Sequence, residues 1–312
     1  MTSTALLDRI EPWSTTGIGS LPFTDPALAA NHACVGYELP FCPQLPRLDG
    51  DMITEWLGAD PHLCGWSPER DRERPRVWKS FLDQVERHPP KHGVVKLQVT
   101  GPATLALALE RQSGARPGRA RTLALAREVS TWLAANVAGQ VAILSERGLS
   151  TLLVIDEPAM ALFGPDGAER VWDPIRAIAP AWGLHLCCAV PWDLVELAEP
   201  DLLSFDLSLE RIDRRAASAL NRLIANGGMV AWGAISAHRQ EHAIQANSRL
   251  GAALERVPAA RENSLVTASC GTGRMSAGRE YEVATALNDV ARTMRAGRRI
   301  RESHPAGFGP HP

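Results

Sequence analysis

Eight short runs of β-branched and other apolar residues recur along the chain, each closing on small, polar or turn-forming residues: 15–22, 36–44, 94–102, 151–158, 184–190, 202–208, 229–235 and 264–271. Runs of this length with such boundaries predict buried strands. Between most of them Ala, Leu and Val recur at helical spacing with Arg and Glu on the opposite face, as in 123–146, 168–178, 216–225 and 281–296. A β-then-α alternation repeated eight times predicts an α/β fold, a single (β/α)8 TIM barrel over residues 1–312. An open doubly wound sheet is disfavoured because no G-x-G-x-x-G follows the first strand.

Two stretches break the alternation. Residues 45–75, with Pro, Gly and Asp punctuation around Trp56 and Trp66, follow the second predicted strand and read as a long loop over the barrel mouth. Residues 298–312, rich in Arg, Gly, Pro and His, read as a flexible tail whose His304 and His311 are solvated.

With 312 residues, 45% of them hydrophobic, the chain can bury a large core. A formal net charge of -2 supplies no basic field for nucleic acid or an anionic membrane, which directs attention to a small-molecule substrate. No run approaches the roughly 18 apolar residues of a spanning helix, and residues 1–13 lack a basic start with an apolar run behind it. The expected location is cytoplasmic. In that compartment six cysteines speak for buried thiols, metal ligation or catalysis rather than for a disulfide framework.

Catalytic groups of such barrels sit at the C-terminal ends of the strands and just beyond. The fifth run reads Leu184-His185-Leu186-Cys187-Cys188, the sixth Ser204-Phe205-Asp206, and the eighth ends Thr267-Ala268-Ser269-Cys270-Gly271. Alternation along a strand puts His185 and Cys187 on one side, with Leu186 and Cys188 on the other. With Asp206 and Cys270 from other strand ends, the set becomes one imidazole, two thiolates and a carboxylate, which suits tetrahedral Zn2+. The alternative is a hydrogen-bonded core histidine beside two small buried cysteines. Cys34, Cys42, Cys64 and Cys188 read as structural.

Five motifs carry a resemblance: G-I-G-S-L-P at 17–22, I-D-E-P-A at 155–159, H-L-C at 185–187, F-D-L-S at 205–208 and S-C-G-T-G at 269–273. Together they resemble the C-terminal catalytic barrel of cobalamin-independent methionine synthase, above all its short single-barrel core relatives, within the uroporphyrinogen decarboxylase/methionine synthase-like superfamily. The resemblance spans 15–294. It implies zinc held by His185, Cys187, Asp206 and Cys270, and homocysteine bound through sulfur to the metal. The family usually places Glu where this chain has Asp206, whose shorter arm makes it the weakest of the four ligands. By the same resemblance Ile18, Gly19 and Ser20 seat the substrate carboxylate and backbone, and Asp156 pairs with its ammonium group. An ordinary strand-ending turn is the competing reading of Asp156-Glu157-Pro158.

The resemblance also bears on the methyl donor. Folate-using members have a second barrel, not found in these 312 residues, and an Asp-x-His on the seventh strand. Here Gly233 and Ile235 stand at those two places, with His238 in the loop beyond. A leaving amine needs a proton donor, so the expected donor is methylcobalamin or a corrinoid protein rather than methyltetrahydrofolate. The Arg-rich stretch 111–127 is a candidate surface for such a partner, although a solvated helix face explains it as well. Rival readings are a related barrel acting on another thiol such as coenzyme M, a corrinoid demethylase of the uroporphyrinogen decarboxylase superfamily, and a zinc-binding barrel without turnover.

Overall fold

A computed structural model describes residues 2–58, 75–112, 118–160 and 167–303, excepting the side chains of 298–303. Cys64, Trp66, His304 and His311 lie outside the described residues.

Among the described residues the architecture is a curled sheet of seven parallel strands in the order β1-β7-β6-β5-β4-β3-β2. The strands are β1 Ser14–Thr15, β2 Val94–Thr100, β3 Ser150–Asp156, β4 Ala181–Leu186, β5 Leu202–Asp206, β6 Met229–Ile235 and β7 Ser264–Ala268. Helices between successive strands cover the outer face, which is consistent with a TIM-like barrel.

The predicted second strand, 36–44, is not a strand of this sheet. It makes two isolated parallel bridges, Ser20 with Gln44 and Phe41 with Lys96. Pro40 and Pro43 account for the difference, since each removes a ladder N–H. Its remaining backbone groups still bond to both sheet edges. Leu39 N donates to Thr15 O (3.0 Å) and Gln44 N to Gly19 O (3.0 Å) on one side, while Lys96 N donates to Pro40 O (2.8 Å) and Cys42 N to Lys96 O (3.0 Å) on the other.

Helix Arg119–Glu146 contains the predicted 123–146 and Arg214–Ala225 the predicted 216–225. The predicted helix 168–178 shrinks to Asp173–Arg176 because Pro174 can only begin a helix here. In 45–75 the described part holds two one-turn helices, Pro46–Asp49 and Thr54–Leu57. Helix Ala277–Ser303 runs six residues into the segment expected as a tail.

Alternation along the strands separates two environments. On β3, Leu153 and Ile155 join the large core under the helices, whereas Leu152 and Val154 join a smaller cluster with Leu6, Leu7 and Ile10. Helix Ser3–Leu7 thus covers the N-terminal strand ends on the inner face of the curled sheet. Each such buried side chain contributes about 2 kcal/mol. Toward the C-terminal strand ends the same inner face turns polar, with Lys96, Gln98, Asp156, His185 and Ser204. That gradient places the chemistry at the far mouth.

Candidate metal centre and substrate cavity

Register sets the site. Asp156 of β3 pairs with His185 of β4, which pairs with Ser204 of β5, so the three stand side by side on the inner face. His185 is 2% exposed, and its Nδ1 lies 2.9 Å from Ser204 Oγ. Its Nε2 is buried with no hydrogen-bond partner among the described residues. A buried ring nitrogen in that state is costly unless something coordinates or bonds it.

One residue past β4, Cys187 returns to the side of His185, and Cys270 arrives from the loop after β7. The ligand atoms of His185, Cys187 and Cys270 all lie within 4.8 Å of one another. The Cys187 thiol donates to the Cys270 sulfur, which holds Cys270 well below the usual thiol range, with His185 and the Gly271 N–H adding to the effect. That same contact, together with burial, pushes Cys187 up. Two cysteine sulfurs beside a buried imidazole nitrogen make a set that is a chemical match for zinc.

Asp206 is not in that group. Alternation gives it the inner face with Ser204, but its Oδ1 accepts from Ser208 N at 2.7 Å in the turn closing β5. The short carboxylate arm is engaged locally. Cys188 points elsewhere, its thiol donating to Pro158 O at 3.0 Å. Cys34 is buried and its thiol is pushed up to about 12 by desolvation, and Cys42 is likewise buried.

A cavity of about 350 Å³ opens above the three donors, and Ile18, Ser20 and Asp156 line it beside His185, Cys187 and Cys270. Gly19 is packed closely, since a Cβ there would press on the side chains of Gln44 and Gln98. Gly271 is required for a similar reason. Any side chain at 271 would overlap Ser20 Oγ, so glycine lets the Ser20 loop approach the Cys270 loop, where Thr272 N donates to Ser20 O at 3.0 Å. Burial pushes Asp156 up, to about 6, against the opposing pull of His185 and Lys96.

Glu157, next to Asp156 and 0% exposed, locks this strand end. Its carboxylate accepts from Ala103 N (3.0 Å), Thr104 N (3.0 Å), Thr104 Oγ1 (2.7 Å) and Trp172 Nε1 (3.0 Å). The first two are first-turn N–H groups of helix Pro102–Gln112, where a negative charge is favoured.

Several cavity residues escaped the sequence reading. Gln44 and Glu55 line the wall and bond to each other, Gln44 Nε2 to Glu55 Oε2 at 3.0 Å, and Arg274 sits at the rim. Below them Lys96 Nζ donates to Ile18 O at 2.6 Å and to Gln98 Oε1, and Gln98 Nε2 donates to Asp156 Oδ1. The available signal was Lys, Gln and Thr at period two within Val94-Val95-Lys96-Leu97-Gln98-Val99-Thr100. Gly233 and Ile235 lie within β6, and His238 from the loop beyond reaches the cavity wall. Arg279 pins that loop through Ser236 O (2.6 Å) and Ala237 O (3.3 Å).

No family model matches the chain. No curated protein matches it. Among solved structures it is similar to a B12-independent methionine synthase from Shewanella sp. W3-18-1, with 18% identity and a TM-score of 0.55 over 74% of this chain and 70% of that one. It is also similar to a methyltransferase from Methanosarcina mazei, with 14% identity and a TM-score of 0.57 over 92% and 96% of the two chains. At such identities the likeness shows a shared fold. No helix among the described residues is long and apolar enough to cross a membrane.

Proposed function

We propose that this chain is a zinc-dependent methyltransferase that moves a methyl group onto the sulfur of homocysteine and so forms methionine. The observation that carries the reading is the unpartnered, buried Nε2 of His185 facing two cysteine sulfurs at the floor of a cavity that Ser20 and Asp156 also line. Two soft donors and an imidazole at the catalytic end of a barrel fit a site that both holds a metal and admits a ligand. We also read 39–44, bonded to both sheet edges, as the eighth stave of the barrel.

In this reading His185, Cys187 and Cys270 hold the metal. Bound zinc supplies a Lewis acid that keeps the substrate thiol, with an ordinary pKa of roughly 8.5, in its nucleophilic thiolate form at neutral pH. These three donors would hold the metal on the cavity side, where the substrate sulfur would reach it. Asp206, whose Oδ1 accepts from Ser208 N, would join as a further ligand through its second carboxylate oxygen. Asp156 pairs with the substrate ammonium group, and Ser20 with the backbone of Ile18 and Gly19 seats the carboxylate. Ser204 fixes the imidazole by occupying Nδ1, so that Nε2 faces the site. Together these contacts aim the sulfur at a methyl carbon entering from the mouth.

For the donor we favour a methylcorrinoid or corrinoid protein, because Gly233 and Ile235 supply no proton donor on β6. A second reading, methyltetrahydrofolate, has one observation in its favour: His238 lines the cavity and is a candidate acid for a leaving amine. Zinc-edge X-ray absorption of the purified protein tests the metal and thiol assignments together. The expected result is one metal per chain in a mixed nitrogen and sulfur shell that gains one sulfur when homocysteine is added. A protein that takes up no zinc, or a shell that homocysteine leaves unchanged, contradicts the proposal.

A further inference from the structure

Lys96 is 3% exposed inside the barrel, two strand positions below Gln98, and no step of the proposed reaction uses it. An ammonium group taken out of water costs several kcal/mol unless it is paired and hydrogen-bonded, and an apolar side chain of similar volume is usually at least as stable. Its retention therefore asks for a task.

The contacts of its Nζ define one. It donates to Ile18 O at 2.6 Å and to Gln98 Oε1, and it stands 5.5 Å from the centroid of the Phe41 ring. With Nζ donating, Gln98 turns its amide oxygen toward Lys96. The amide nitrogen is thereby turned the other way, where it donates to Asp156 Oδ1. One buried amine, its ammonium form pushed down to about 7 by burial against the pull of Asp156, thus fixes the backbone at Ile18 and, through a single oriented amide, the carboxylate of Asp156. Both Ile18 and Asp156 line the cavity. Gly19 packs directly against Gln98, so the relay and the Ile18–Ser20 loop share a wall.

We propose that Lys96 is a positioning residue that sets the site's selectivity for thiols bearing both an ammonium and a carboxylate group over simple thiols. This rests on the proposed function, in which the Ile18–Ser20 loop and Asp156 receive those two ends. The contacts of Lys96 Nζ are to Ile18, Gln98 and Phe41 rather than to the metal donors, so its loss should spare metal binding and bare thiol binding.

The test is calorimetric titration of zinc-loaded wild type and Lys96→Met with L-homocysteine and with 1-propanethiol, which lacks both charged ends, alongside zinc content and a thermal melt. Loss of two charge-assisted hydrogen bonds predicts homocysteine binding weakened about tenfold or more, with zinc content and propanethiol affinity within about twofold of wild type. Gln98→Leu keeps the lysine and cuts only the arm to Asp156. It should show a smaller loss in the same direction, and it carries the comparison if Lys96→Met does not fold. Equal weakening of both thiols, or unchanged preference in variants that fold, overturns the assignment of Lys96. A wild-type protein that binds the two thiols alike overturns the proposed function itself, and this inference with it.

Discussion

Glu157 and Gly101 provide a stability experiment whose outcome follows from geometry. The Glu157 carboxyl, wholly buried, satisfies four donors, and the three atoms nearest a hypothetical Cβ on Gly101 all belong to Glu157 and would overlap it. Gly101→Ala should expel the carboxylate from its seat, while Glu157→Ala removes it outright. Breaking a buried charged network by deleting one partner costs about 3–5 kcal/mol, so about 4 kcal/mol is expected for Glu157→Ala and about 3 kcal/mol for Gly101→Ala. The double variant is the informative one. With the carboxylate gone the new methyl group no longer meets it, and Gly→Ala at a compatible backbone position is neutral or gains about 0.4–1 kcal/mol. The double variant should therefore be no less stable than Glu157→Ala, a coupling of about 3 kcal/mol in a double-mutant cycle read from urea unfolding midpoints. Losses that simply add would refute the account of why glycine stands at 101 and of how the Asp156 strand end is held.

Other predictions concern thiols, capping and pH. In metal-stripped protein at neutral pH, Cys270, held below the usual thiol range, should alkylate with iodoacetamide and be protected by added zinc, while Cys34, its thiol pushed up to about 12 by burial, should stay unmodified; mass spectrometry showing Cys34 labelled first, or no zinc protection of Cys270, would contradict this. Asp25 caps helix Pro26–Val35 by accepting from Ala27 N (2.8 Å) and Leu28 N (3.3 Å), so Asp25→Ala should lower unfolding stability by about 1 kcal/mol, and no measurable loss would count against that cap. Glu11 is held below its usual range chiefly by its hydrogen bond to Lys91 and further by Arg295. A depressed carboxylate contributes stability above its unfolded pKa, roughly 4.3, and loses it as pH falls through the folded value. The pair is largely exposed, so Glu11→Gln should flatten the acid limb of the stability curve by less than about 1 kcal/mol.

Much of the site was legible because it depends on alternation and strand order. H-L-C guarantees that His185 and Cys187 share a side, and the loop after the final strand of a barrel necessarily returns beside the first, which brings Cys270 to Ser20. The second strand was harder to read. Its apolar residues are those of a buried strand, yet Pro40 and Pro43 reduce it to bridges, a matter of missing donors rather than of hydrophobicity. Strand β4 begins at Ala181, three residues before its predicted start, because Ala181-Trp182-Gly183 carries no β-branched residue to mark it. For Asp206 the place was legible and the contact was not. F-D-L-S fixes its place on β5, but not that the turn to Ser208 engages its carboxylate. Lys96 and Gln98 were passed over for the opposite reason, since polar residues inside an apolar run read as noise until the inner face is seen to turn polar toward the mouth.

The central claim is methyl transfer to a zinc-bound thiol, and the most direct test is methionine formation by the purified protein from homocysteine and either methylcobalamin or methyltetrahydrofolate, with metal content measured on the same samples and Cys270→Ser as the control. The account predicts methionine from methylcobalamin in zinc-loaded protein, with both the zinc and the activity lost in Cys270→Ser. Zinc-loaded protein that forms no methionine from either donor would contradict it.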